Sequence, residues 1–186
     1  LEEGTRVPVL ASAETHEIAH DLPLENRIVL EPGRAVRVGP FSLTAHPVVH
    51  SVRCPCVAAR LEAPGFTIVY SGDVVAFADP EEALPGTDLY VGDGSTLKGS
   101  LVRRHTSGAL IGHTTVRAQL GWLARYGVPQ AVFSHFGKGP IEMGDPALRK
   151  ALGELAAEKA PECDVRMARD GLTLAPRRRP KRSPSA

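Results

Sequence analysis

The sequence predicts an α/β domain in which a run of strands gives way to alternating strands and helices. Three observations carry this. Short segments rich in Val, Ile, Phe and Leu follow one another from residue 27 to 75, separated by Glu31-Pro32-Gly33, Gly39-Pro40 and Ala63-Pro64-Gly65. Beyond residue 75, strand-like runs alternate with segments whose apolar residues recur at helical spacing. The 186 residues, 42% hydrophobic and 23% charged, suffice for one core and exclude a disordered or fibrous chain.

Taken in order, residues 12–21 (SAETHEIAHD) read as a short helix, with Ser12 at its N-cap and Pro23 beyond its end. Arg27–Leu30, Ala35–Val38, Phe41–Pro47, Val57–Glu62 and Thr67–Tyr70 read as consecutive, mainly antiparallel strands. Pro80–Leu84 is a short helix and Asp88–Val91 a short buried strand. Thr114–Tyr126 places Val116, Leu120, Leu123 and Ala124 at helical spacing and stops at Gly127. Gln130–Ser134 is a buried strand, and Pro146–Ala160 a helix with Leu148, Leu152 and Leu155 on one side. Asp164–Met167 and Leu172–Leu174 are expected to close the sheet as a hairpin across Asp170-Gly171. The domain is expected to occupy residues 1–176, with 177–186 a disordered basic tail.

Charge and composition narrow the function classes. The 22 Lys and Arg nearly balance 21 Asp and Glu, but Arg177, Arg178, Arg179, Lys181 and Arg182 hold five of the positive charges. Without them the net charge falls from +1 to −4, which argues against a nucleic-acid groove spread over the domain. No apolar run approaches the roughly 18–20 residues of a membrane span. Three cysteines are too few for a disulfide framework, and no basic start leads into an apolar secretory stretch, so a cytoplasmic setting is expected.

Three polar residues share one context. His50 follows PVV, Asp73 follows IVYSG and His135 follows AVFS, each where a strand gives way to a loop. Strand ends can converge from distant positions, and two imidazoles with a carboxylate suit a borderline metal such as zinc, the carboxylate able to bridge two ions. For one such residue alone, a local structural hydrogen bond is the simpler reading; three in the same context favour a site.

The order strand-His-Ser, strand-Ser-Gly-Asp, Gly-His-Thr-Thr before a helix, then strand-Ser-His-Phe-Gly resembles the second half of the metallo-β-lactamase superfamily. Within it, the sequence is most similar to the branch of ribonuclease Z and the cyclic-phosphate phosphodiesterases, over residues 5–145. The resemblance implies a four-layer αββα sandwich, mainly its C-terminal half. It implies His50 and His135 as terminal metal ligands and Asp73 as the bridging ligand, for one or two zinc ions or another divalent transition metal. It also implies that Asp93 (VGDGST) orients His113 (GHTT), the catalytic acid, 20 residues further on. The implied activity is hydrolysis of a small-molecule, nucleotide or RNA phosphodiester, or a related ester, by zinc-activated water, with no membrane partner and a homo-oligomer compatible. The superfamily's leading motif, His-x-His-x-Asp-His, does not occur in the chain, so the domain is expected to be N-terminally incomplete, and a non-catalytic remnant or interaction module is the alternative.

Other candidates are weaker. His16-Glu17-Ile18-Ala19-His20 fits the H-E-x-x-H pattern of zincin metalloproteases, two histidines on one helical face with Glu as base, but Pro23 cuts the helix short. Cys54-Pro55-Cys56 has no second cysteine pair and reads as a turn. Lys138 in GKGP is placed near an anionic substrate, though the rest of a P-loop is missing. Arg53 and Arg103-Arg104 are candidates for a phosphate contact, with surface solvation as the default.

Overall fold

A computed structural model describes residues 7–174. In chain order the elements are β1 (Val9–Ala11), α1 (Ala13–Ile18), β2 (Arg27–Val29), β3 (Ala35–Val38), β4 (Phe41–Val49), β5 (Cys56–Ala63), β6 (Phe66–Tyr70), β7 (Ala76–Phe77), α2 (Pro80–Ala83), β8 (Leu89–Asp93), β9 (Arg103–Arg104), β10 (Leu110–Ile111), α3 (Val116–Tyr126), β11 (Gln130–Ser134), α4 (Lys138–Glu142), α5 (Asp145–Lys159) and β12 (Asp164–Met167). An eight-stranded sheet dominates, in the order β12-β11-β8-β6-β5-β4-β3, with β7 also paired to β4. Two small two-stranded sheets, β1–β2 and β9–β10, complete the strand pairing.

The sheet is mixed for a reason visible in its connections. Two-residue turns join β3 to β4 and β5 to β6, a loop over 50–55 joins β4 to β5, and such short links leave antiparallel neighbours. After β6 the chain crosses through α2, α3 and then α5, and crossovers return each new strand parallel to the last: β6 with β8, β8 with β11, β11 with β12. The expected terminal hairpin is therefore not formed. Because α5 precedes it, β12 lies parallel to β11, and Leu172–Leu174 form no strand. The run at 27–30 also departs from expectation, since β2 pairs in parallel with β1 instead of joining the meander. The basic tail at 177–186 lies outside the described residues.

Helix α3 shows how local sequence fixes the core. Thr115 Oγ1 accepts from the Ala118 N–H at 3.0 Å, capping the start. Gly127 ends the helix at φ 62°, a left-handed conformation that glycine adopts without steric cost, and Val128 N–H closes back on Leu123 O. Between these caps Val116, Leu120 and Leu123 are fully buried. They pack in one cluster with Leu148, Leu152 and Leu155 of α5 and with Tyr90 and Phe133 of the sheet. Truncating one such leucine to alanine costs about 2–5 kcal/mol. Among the described residues, no helix is long and apolar enough to cross a membrane.

Candidate metal centre

Strands β6, β8 and β11 are parallel, and β4, two antiparallel steps from β6, points the same way. Their C-terminal ends therefore share one edge of the sheet, where ligands of such folds collect. His50 directly follows β4, Asp73 lies three residues past β6, Asp93 is the last residue of β8, and His135 directly follows β11. His113 joins them from the turn that leads into α3.

Asp73 stands between two imidazoles. Its Oδ2 is 3.5 Å from His50 Nε2 and its Oδ1 3.2 Å from His135 Nδ1. His50 Nδ1–H donates to the Gly112 carbonyl at 2.9 Å. A carbonyl only accepts, so Nδ1 carries a proton and, in the neutral ring, Nε2 turns its lone pair toward Asp73. Backbone geometry marks His135 as well: at φ 55° it is the single non-glycine residue with positive φ among the described residues. Left-handed backbone costs a residue with a Cβ free energy and collects at functional sites.

Asp93 is built differently. Its side chain has no solvent exposure, and each oxygen accepts two close hydrogen bonds, with His135 Nδ1 a further 3.5 Å from Oδ1. Oδ1 takes the Ser95 N–H at 2.9 Å and the Ser95 hydroxyl at 2.6 Å; Oδ2 takes His113 Nδ1–H at 2.7 Å and the Val74 N–H at 3.2 Å. Burial alone would raise the Asp93 pKa, but the hydrogen bonds from Ser95, His113 and Val74 outweigh it and hold the carboxyl below its ordinary value. With its single proton committed to Asp93, Ser95 Oγ accepts from His135 Nδ1–H at 3.0 Å. Buried Gln119 of α3 then fixes the Asp93 backbone from both sides, donating to Asp93 O at 2.7 Å and accepting from Asp93 N–H at 3.1 Å. Its Oε1 also accepts from Tyr90 O–H at 2.9 Å.

Ser95 and Gln119 were not singled out in the sequence. Ser95 sits two residues after Asp93 in a Gly-Ser-Thr turn, a spacing that lets its backbone N–H and hydroxyl reach back to the carboxylate. Gln119 stands one position before Leu120 on the buried face of α3, where a polar residue needs a partner. The other sequence candidates lie elsewhere. Lys138 is on α4, 86% exposed, and its Nζ is 3.7 Å from Glu142. Helix α1 has six residues and ends before His20. His16 Nε2 is 3.0 Å from the Ile28 carbonyl, the Arg27 guanidinium donates to His16 Nδ1 at 3.4 Å, and His20 Nδ1 faces Glu17 O at 2.9 Å. Both ring nitrogens of His16 are thus engaged, which leaves the zincin pattern without its first ligand. Cys56 Sγ is occupied by the Cys54 carbonyl.

The donor set suits a metal ion. One ligand-type atom from each of Asp73, Asp93, His113 and His135 lies within 4.8 Å of the others. In this cluster the Asp93 oxygens are saturated by four hydrogen bonds, which makes Asp93 an orienting group. His50 lies outside this four-residue group but faces Asp73, and with its ring neutral their lone pairs repel unless a metal ion or a proton lies between. Imidazole and carboxylate are ligands that zinc accepts.

The fold is that of metallo-hydrolases, and the cluster is a possible metal site. A sequence profile described as a beta-lactamase superfamily domain matches residues 1–136, and the chain belongs to that superfamily. No curated protein sequence matches the chain. Among solved structures, it is similar to the metallo-beta-lactamase fold protein YhfI from Bacillus subtilis, at a TM-score of 0.67 and 20% identity, covering 89% of this chain and 63% of that one. It is also similar to Zn²⁺-bound PqqB from Methylobacterium extorquens (TM-score 0.60, 20% identity, 89% and 64% covered). The short form of human tRNase Z follows at a TM-score of 0.50 and 16% identity, with 73% and 62% covered. These likenesses establish the metallo-β-lactamase fold, and the chain spans 63% of the length of YhfI.

Proposed function

We propose that this chain carries part of the active site of a zinc-dependent hydrolase that cleaves a phosphodiester or a related ester. The observation behind the proposal is the convergence of His50, Asp73 and His135 beside the buried Asp93–His113 pair. Zinc as the metal is supported by the donor set and by the ion held in the similar PqqB structure. The phosphodiester is supported by the resemblance of the Asp93–His113 pair to the ribonuclease Z branch.

His50 through Nε2, Asp73 through its carboxylate and His135 would hold the metal. When bound, a zinc ion supplies Lewis acidity and a nucleophile drawn from water at neutral pH. The protein's own contribution centres on His113. Asp93 accepts its Nδ1–H, so Nε2 is the nitrogen that delivers a proton to a leaving oxygen. The same buried carboxylate stabilises the imidazolium before that transfer. Gln119 and Ser95 keep Asp93 from rotating, which keeps His113 aimed.

Bound zinc and hydrolysis of bis(p-nitrophenyl) phosphate, measured on the purified protein and its variants, test this. Asp73→Ala is expected to lose both. His113→Ala is expected to keep zinc and lose about 10²–10⁴-fold in kcat. Unchanged zinc and rate in Asp73→Ala would overturn the site. Zinc binding in a protein inert toward every ester tried would favour the non-catalytic module.

A further inference from the structure

A cleft of about 720 Å³ opens beside the centre, with His50 and His113 on its wall. Its other sides come from Ser51–Arg53, beyond β4, and from the segment around β9 and β10, including Arg103 and His105. Among the described residues, no carboxylate lines it. Arg53 and Arg103 are exposed, and among the described residues neither guanidinium has an ion-pair or hydrogen-bond partner. Most other described arginines are engaged, Arg27 and Arg104 by carbonyls, Arg60 by Glu62, Arg117 by Glu158 and Arg125 by Glu81, while Arg37 and Arg149 are unpaired but lie outside this cleft. Two unpaired guanidiniums lining one cleft, with imidazoles and no acid among its lining residues, make a field that attracts an anion. The guanidinium fork matches the oxygens of a phosphate.

We infer that this cleft is an oxyanion subsite, in which Arg53 and Arg103 seat a second phosphate group of a small-molecule substrate whose scissile ester lies at the metal centre. The inference rests on the hydrolase reading for what happens at the metal, while the subsite itself stands on the cleft. Continuity is the structural reason for linking them, because His50 and His113 belong to both. The volume falls in the range of small-molecule pockets, about 300–1,000 Å³, which favours a compact phosphate-bearing molecule over a long polymer.

The test is binding of inorganic pyrophosphate to the metal-stripped protein by calorimetry, so that no catalytic step is involved. Wild type is expected to bind, and the double variant Arg53→Gln/Arg103→Gln to bind about tenfold or more weakly, since each lost charge-assisted hydrogen bond is worth on the order of tenfold. Arg37→Gln, on β3 and outside the cleft lining, should match wild type within about twofold. Far-UV circular dichroism checks that the double variant folds. Equal affinity in wild type and double variant, or no binding in wild type, overturns the subsite. Tighter binding of a single-stranded RNA decamer than of pyrophosphate overturns the small-molecule source. Pyrophosphate binding lost in the double variant, in a protein that hydrolyses no ester, sinks the hydrolase reading and leaves the subsite standing.

Discussion

The two aspartates of the site occupy opposite surroundings a few ångströms apart. Asp93 ends a central strand, has no solvent exposure and satisfies both oxygens with hydrogen bonds from Ser95, Val74 and His113. Asp73 sits in a loop, its side chain 38% exposed, with imidazoles as its close neighbours. One carboxylate is spent on hydrogen bonds within the protein; the other meets imidazoles and solvent. A dry, saturated acid beside an open one is the contrast that separates an orienting group from a candidate ligand.

The comparison can be broken by substitution. The largest effect is expected from Asp73→Ala on metal affinity. Removing a direct ligand should exceed the roughly 10–100-fold loss typical of outer hydrogen-bond partners, read by zinc competition against a chelating dye. Asp93→Ala should do the reverse: it leaves four donors without their acceptor and should destabilise the metal-free fold by about 3–5 kcal/mol in urea unfolding. Ser95→Ala is expected to cost less, about 1–3 kcal/mol, because one hydroxyl links Asp93 and His135.

Acid sharpens the contrast. The Asp93 pKa is depressed in the folded state, so its contribution to stability is fully present above its ordinary value of 3.8 and is lost as pH falls through the lower folded value. Unfolding midpoints should therefore begin to drop as pH falls below about 4. Asp93→Asn, which has no carboxylate to protonate, should flatten that drop. The smallest effect is expected from Asp73→Asn in the metal-free protein, within about 0.5 kcal/mol of wild type, because that side chain is half-open to water.

Much of this was legible in the sequence, for identifiable reasons. The strands from β3 to β6 and the helices α3 and α5 follow from turn residues and apolar spacing, which are local signals. His50, Asp73 and His135 stood out because each follows an apolar run, and the parallel arrangement of β6, β8 and β11 gathers such strand ends on one edge. The failures are of another kind. The direction of β12 depends on the crossover before it, and a turn-like Asp170-Gly171 says nothing about the partner strand. Strand β1 has three residues, too few for a pattern. Gln119 was hidden because its partner is Asp93, 26 positions away, a separation that leaves no periodic trace, and Ser95 was passed over although its turn lies two residues after Asp93. The H-E-x-x-H pattern, ranked low because Pro23 cuts the helix short, gives His16 other partners: the Ile28 carbonyl across a turn, together with Arg27.

The most direct test of the centre is zinc stoichiometry after equilibrium dialysis, read by atomic emission for wild type, Asp73→Ala and His20→Ala. The expected result is zinc bound to wild type and to His20→Ala at the same level, and lost from Asp73→Ala. Zinc retained in Asp73→Ala, or lost in His20→Ala, would contradict a metal centre at the ends of β4, β6 and β11.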